Sequence, residues 1–482
     1  MKFQVFKNGS PAQELNLEGS YIFSHDNYLL RDSSLIQYER EVLAADCTGS
    51  ETAALCLPWD IEGIGTIMLP TTRLLRQPGC YNLNIELARA RLMLIISKIE
   101  DYSEIEMSES MIKYFDNAKK SFVDAIKSSA NPQEASVHAD RSLINALHFS
   151  EKLAIVQAEN GFRKRQKLSN YGKDYFGCKL EVEHVKKSPQ YLKKVINAFG
   201  RVEIPLNWRE IEKTPGQYDF GSLEKIIKVL SSSKGIKITA GPLVSFEKEC
   251  IPDWLQQKDA SFADIQEAAY GYISECLGRF RNFVDQWIVL KGINCKNCLK
   301  FSLDEILEIT RSAFIAARNG DSSGKLIQIC DPWGSSESVS YDNIPPLVFL
   351  EMLIQQNIWF DGISLDLDIW NRCKYPAVRD LLQISSKIDS FTNLGRQIYV
   401  SELKAPRQSD SIYYGYWEKE WSQDIQAKWL EYVYKIALSK PSVAGVSYSA
   451  AVANSNRPSC GILSKNYDVS KAYKKILKLQ KL

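Results

Sequence analysis

The chain has 482 residues, 45% apolar and 24% charged, enough for two or three soluble domains. Its formal net charge of +2 gives no broad electrostatic case for nucleic acid or an anionic membrane as a partner. Its longest purely apolar runs, such as Leu92 to Ile96, are too short to span a bilayer, and MKFQVFKNGS lacks the apolar core of a secretory signal, so a cytoplasmic protein is expected.

Residues 1–84 carry short strand-like runs, Tyr21 to Phe23, Ala53 to Leu57 and Thr66 to Leu69, separated by Gly, Pro, Asn and Asp. They predict a β-sandwich-like domain, either carbohydrate-binding or a structural lid, with Trp59 its one prominent aromatic. From Ile85 the period changes. Ile85, Ala88, Leu92, Ile95 and Ile99 make one helical stripe, and Met111, Phe115, Ala118, Phe122 and Ala125 a second. Asn131-Pro132 breaks the second, and Leu143, Leu147, Ala154 and Ala158 mark a third helix. Residues 85–168 thus form a helical connector, with FRKRQK (162–167) as a solvated basic linker.

Residues 169–482 alternate strand and helix eight times. The predicted strands are 175–182, 201–207, 236–244, 284–291, 325–330, 360–368, 397–402 and 444–450. Eight such units suit a closed (β/α)8 barrel, which needs about 250 residues; an open doubly wound sheet is the alternative. No glycine-rich phosphate loop follows a strand. The eleven cysteines are scattered and odd in number, which fits reduced thiols. Cys295 and Cys298 form a C-x-x-C without a second pair, read as a surface loop rather than a metal or redox site. No metal and no cofactor is expected, and no oligomeric state is assigned.

The stretch 195–254 carries a resemblance through Trp208, Glu212, Gly216, Phe220, Gly235, Pro242, Leu243, Val244, Pro252 and Trp254. Its W-x-x-I-E-x-x-x-G-x-Y-x-F core, then G-I-K-(x)4-P-L-V and I-P-D-W, resembles family 10 glycoside hydrolases, the xylanase-like retaining barrels. The resemblance implies a nucleophilic Glu ending strand seven, and Ser401-Glu402-Leu403 matches that motif. It also implies an acid ending strand four in W-x-V-V-N-E, where Trp287 to Gly292 put Lys291 at the Asn and Gly292 at the acid. The family's histidine after strand three falls on Gly241, its lysine before the tryptophan on Asn207, its Q-x-H on Asp366 and Asp368, and its strand-eight tryptophan on Tyr448. With D-P-W-G at 331–334, the chain resembles bacterial xylanase-like proteins that lack the acid.

Active sites of such barrels sit at the C-terminal strand ends. The candidates there are Glu402 as catalytic carboxylate and Asp331, Asp366 or Asp368 as a replacement acid, the last two sharing one side of strand six. Aspartates that merely cap the strand end are the alternative. Glu203, Asn207, Trp208, Lys291, Trp333, Trp370 and Tyr448 form the candidate substrate-binding set. Three functions stay open: a glycosidase with a relocated acid, a carbohydrate-binding pseudoenzyme, and a structural or assembly protein. A β-linked saccharide is the expected substrate or ligand in the first two.

Overall fold

The structure, a computed structural model, describes all residues except 25–29, 31–35, 40–41, 47–50, 102–105, 169–170, 257–259, 334–343, 369–377, 410–415, 454–459 and 482. The chain forms two compact units. One comprises residues 1–161 with 369–386 and 408–425, the other residues 162–368, 387–407 and 426–482.

The second unit is a closed parallel barrel with its strands in sequence order. They are strand one (Phe176–Lys179), two (Arg201–Ile204), three (Lys237–Ala240, resumed at Val244–Ser245), four (Gln286–Lys291), five (Gly324–Ile329), six (Gly362–Asp368), seven (Gln397–Lys404) and eight (Val443–Tyr448). Strand eight pairs with strand one, which closes the ring. An open sheet is thereby excluded. The predicted strands match to within a few residues, because β-branched runs bounded by Gly, Asp and Pro leave little freedom.

Each strand is buried on both sides, but the two faces differ. Val202, Ile204, Ile327, Ile329, Ile363, Leu365, Ile398 and Val400 are buried apolar positions. In strands two, six and seven the alternate positions include Arg201, Glu203, Ser364, Asp366 and Ser401, whereas strand four is apolar on both faces. Arg201 donates to Thr239 Oγ1 (3.3 Å) and Gln286 Oε1 (3.2 Å), and the hydroxyls of Ser364 and Ser401 lie 2.7 Å apart. Buried polar groups survive when they find such partners.

The predicted basic linker is instead part of a long helix, Pro132–Leu168. Arg165 is not a solvated charge. It donates to the carbonyls of Leu438 (3.0 Å), Lys440 (2.5 Å) and Val443 (2.7 Å), bracing the turn between helix Gln423–Ser439 and strand eight.

The first unit holds a four-stranded sheet, ordered Cys80–Asn82, Lys2–Gln4, Val42–Ala45, Ile36–Glu39. A second sheet is ordered Tyr416–Trp417, Gly65–Pro70, Thr52–Ile61, Tyr21–Phe23. Helices Leu83–Asp101, Glu109–Lys127 and Pro132–Leu168 follow the predicted stripes. Ile85, Ala88, Leu92 and Ile95 are buried on the first, as are Leu143, Leu147, Ala154 and Ala158 on the third. Trp59 is buried, 6% exposed, and offers no surface face.

The strand Tyr416–Trp417 enters this sheet from the segment after barrel strand seven. It does so where Gly65, at φ +125°, leaves room; a Cβ there would lie 2.1 Å from the Tyr416 carbonyl oxygen. Glu151 ties the same segments down, accepting from Leu381 N–H (2.8 Å) and from Trp417 Nε1–H (3.0 Å). Burial, aided by the charge of Asp380, pushes the Glu151 carboxyl from 4.5 up to about 8. The folded protein therefore keeps a proton that the unfolded chain releases near 4.5. This contribution to stability is fully present below about 4.5 and is lost as pH rises through about 8. Glu151→Gln mimics the protonated form, so its thermal midpoint should gain on wild type as pH rises across that window. A difference that does not vary with pH would show that Glu151 does not titrate there.

Candidate active site

Strand seven does not end regularly. Its pairing slips between Val400 and Leu403 against strand eight, and against strand six between positions 366 and 368. Glu402 sits in this bulge at φ +50°. Bulges re-aim side chains, and a non-glycine residue held in this region stores about 1–3 kcal/mol. The Ser-Glu-Leu stretch thus carries local strain at the barrel mouth.

The Glu402 carboxylate is 7% exposed and meets ammonium groups from three directions. Lys179, the last residue of strand one, donates to its Oε1. Lys291 Nζ, ending strand four, lies 3.8 Å from Oε1, and Lys404 Nζ 3.9 Å from Oε2. Burial alone would raise the carboxyl, but Lys179, Lys291 and Lys404 outweigh it and hold Glu402 well below the usual carboxylate range.

Lys291 is not a proton donor in waiting. Burial would lower its ammonium, yet the groups around it, Cys330 and the carboxyls of Glu402, Asp366 and Glu247, raise it. Its Nζ also lies 3.9 Å from Glu247 Oε1, and Lys296 Nζ lies 3.3 Å from the same oxygen. An ammonium so held is a poor general acid.

Glu203 stands beside Lys179 in register on strand two and is 3% exposed. Burial raises its carboxyl to about 7; Glu402 adds to the rise while Lys179, Lys291 and Arg201 oppose it. Glu203 Oε1 is buried without a hydrogen-bond partner. Glu181, just beyond strand one, accepts from Val452 N–H at 3.0 Å, and burial raises it to about 7.

The remaining predicted residues divide. Asp366 is buried and acts electrostatically on Lys291 and Lys296. Asp331 lies just beyond strand five at φ +51°, and Trp333 follows it half-buried. Asn207 is exposed ahead of the short helix Trp208–Ile211. Asp368 closes strand six, its side chain lying outside the described residues, as does Trp370 altogether. Trp208 and Tyr448 face no cleft. Trp208 is 1% exposed, stacks on Tyr272 and donates from Nε1 to Glu212 at 2.6 Å. Tyr448 is fully buried and donates its hydroxyl to the Cys460 carbonyl.

Sequence reasoning missed Lys179, Lys296, Lys404 and Glu181. A lysine inside the buried run Phe176–Lys179 and another directly after Ser-Glu-Leu were the available signals. Gly292 has φ +62°, and a Cβ there would lie 3.0 Å from Cys330 Sγ. Among the described residues, no group of three or more His, Cys, Asp or Glu could hold a metal ion, and no helix is long and apolar enough to cross a membrane.

Residues 164–477 match the family model described as glycosyl hydrolase family 10. A family 10 structure from Paenibacillus barcinonensis is similar at TM-score 0.52 and 14% identity, over 64% of this chain and 96% of that one. Xylanase 10B from Thermotoga petrophila RKU-1, solved in complex with xylobiose, gives 0.50 and 14%, over 68% and 97%. A family 10 endoxylanase retrieved from a sugarcane soil metagenome gives 0.51 and 13%, over 64% and 96%. At such identities the likeness bears on the fold. No curated protein matches the chain.

Proposed function

This chain belongs to glycosyl hydrolase family 10, and from that premise we propose that its barrel mouth binds a β-linked oligosaccharide without hydrolysing it. The observation that carries the reading is the pairing of Gly292 with a lysine-ringed Glu402. Retaining hydrolysis needs one carboxylate to attack and a second carboxyl, about 5–5.5 Å away, to protonate the leaving oxygen. Gly292 supplies no proton. Glu402 is ionised as a nucleophile must be, but Lys179 donates to it, and Lys291 and Lys404 approach it. A carboxylate so engaged is a better acceptor for a sugar hydroxyl than an attacking group.

A second reading rests on Glu203. Its carboxyl keeps a proton to about 7 while Glu402 stays ionised, and carboxyls pushed apart in this way are how acid and base roles divide. In that reading the barrel turns over with a relocated acid.

Wild type and Glu402→Gln, assayed on xylan and on activated aryl glycosides, separate the two. General acid catalysis is worth about 10²–10⁴-fold, so we expect no xylan hydrolysis by either protein. Calorimetry should show oligosaccharide binding by wild type that weakens about 10–100-fold in Glu402→Gln, the worth of a charge-assisted hydrogen bond. Robust xylan hydrolysis that Glu402→Gln abolishes would overturn the binding reading in favour of the second.

A further inference from the structure

The end of the barrel away from Glu402 carries a surface that the saccharide reading does not use. Helix Pro346–Gln355 stops short of Asn357, whose φ of +55° turns the chain toward strand six. Beyond it Ile358 and Phe360 are buried, and Trp359 between them is turned to solvent, as side chains alternate along extended backbone. At 55% exposed, Trp359 is the one exposed tryptophan among the described residues.

Its ring is held in place. Nε1–H donates to Asp361 Oδ1 at 3.2 Å, and the guanidinium of Arg396, just ahead of strand seven, lies over the ring 4.4 Å from its centroid. Arg318 lies 5.8 Å from the same ring and 3.3 Å from Asp361. It belongs to helix Leu303–Gly320, on which Arg311, Ile315 and Arg318 share one face. Arg311 donates to the Gln356 carbonyl at 3.2 Å, so both ends of that face meet the segment around Trp359, and Ile315 between them is 48% exposed. Arg311 has Glu308 at 3.7 Å, and Asp361 serves Arg318 while also accepting from Lys325 N–H at 2.8 Å. Arg396 makes no ion pair or hydrogen bond among the described residues, and its Nε is buried without a partner. Stacked on Trp359 and 5.5 Å from the Phe360 ring, its guanidinium is fixed while its fork of donors is unused.

We propose that this surface docks an acidic segment of a partner protein, one in which carboxylates stand among aliphatic or aromatic side chains. A carboxylate fits the Arg396 fork with two parallel hydrogen bonds. Apolar side chains of the partner cover Trp359 and Ile315, and tryptophan and arginine are the residue types that dominate binding energy at protein interfaces. A second copy docking through the same face would set Arg396 against Arg396, which like charge disfavours. A saccharide ring would need the face of Trp359 that Arg396 covers. The surface lies where strands six and seven begin, whereas Glu402 lies near the end of strand seven, so the proposal does not depend on what the mouth binds.

The test selects binders to the full chain from a displayed library of random peptides and measures the selected peptides by fluorescence anisotropy. They should carry acidic and apolar residues together. Trp359→Ser and Arg396→Glu should each bind them about 10-fold more weakly or worse. Arg396→Lys should also lose most of the affinity, because an ammonium keeps the charge but neither the fork nor the stacking. Binding should weaken at about 0.5 M salt, where screening is strong. Melting curves check that each variant is folded, and the three substitutions at two positions keep the test decisive if one of them is not.

A library that yields no binder, or only peptides without acidic residues, would overturn the proposal. So would acidic peptides whose affinity ignores both positions, since they would be bound elsewhere on the chain. Self-association of the chain alone, seen in sedimentation and lost in Arg396→Glu, would assign the surface to a second copy. Binding of a neutral xylo-oligosaccharide that Trp359→Ser abolishes would make it a saccharide platform, and either result would displace the acidic partner.

Discussion

Gly292→Glu will destabilise the protein by about 2–6 kcal/mol and will not confer xylan hydrolysis. Putting a carboxyl back at the family's acid position looks like a repair, but the backbone there has settled around glycine. At φ +62° an ordinary residue costs about 1–3 kcal/mol. The new Cβ would meet Cys330 Sγ at 3.0 Å, Cys330 Cβ at 3.5 Å and Lys296 Cδ at 3.6 Å, and Cys330 is fully buried. Overpacking of that kind costs about 1–3 kcal/mol. The turn cannot rotate away, because Gly292 N–H donates to the Gln328 carbonyl (2.9 Å) and its own carbonyl accepts from Lys296 N–H (2.7 Å). Urea denaturation of wild type, Gly292→Glu and Gly292→Glu with Cys330→Ala checks this. The double variant should recover the packing part and leave the backbone part. Unchanged stability together with xylan hydrolysis would refute the argument.

Arg91→Met should cost about 3–5 kcal/mol, the range seen when one partner of a buried ion pair is removed. Arg91 Nη2 lies 2.6 Å from Asp380 Oδ2, with side chains 2% and 0% exposed. Without the guanidinium, Asp380 keeps a buried charge and the influence of Glu151 nearby. Asp380 also starts helix Leu381–Thr392, accepting from Gln383 N–H at 3.0 Å. The informative partner change is therefore Asp380→Asn, which removes the charge and preserves the cap. Arg91→Met with Asp380→Asn should regain most of the loss in denaturant unfolding. A double variant no better than the single one would show that the cost lies in the packing of Arg91, not in the orphaned carboxylate.

The barrel was legible because its signal is local and repeated. Runs such as Val202 to Leu206 and Gln286 to Lys291 each name a strand without help from the rest of the chain. Glu402 at the end of strand seven was legible for the same reason, its motif being contiguous. The lysine ring was not. Lys179, Lys291 and Lys404 meet only because strands one, four and seven converge on one mouth, and a linear sequence does not display that convergence. Trp208 and Tyr448 misled in the opposite way. Their place at strand ends suggested a cleft, but side-chain direction is set by neighbours such as Tyr272 and the Cys460 carbonyl. The ties from Glu151 to Leu381 and Trp417 span 230 and 266 residues, beyond any spacing rule.

Those ties bear on how the protein is made. The first unit begins at Met1, yet it takes in residues up to 425, late in the chain. At about 5–20 residues per second, the ribosome needs on the order of 10–50 s to pass from residue 161 to residue 425. Through that interval the edge of strand Gly65–Pro70 waits for Tyr416–Trp417, and Glu151 waits for both of its donors. An open strand edge is a template for the wrong partner. Nascent chains halted before about residue 410 should therefore be protease-sensitive in their amino-terminal part and should associate with holding chaperones, although all of residues 1–161 has already left the ribosome.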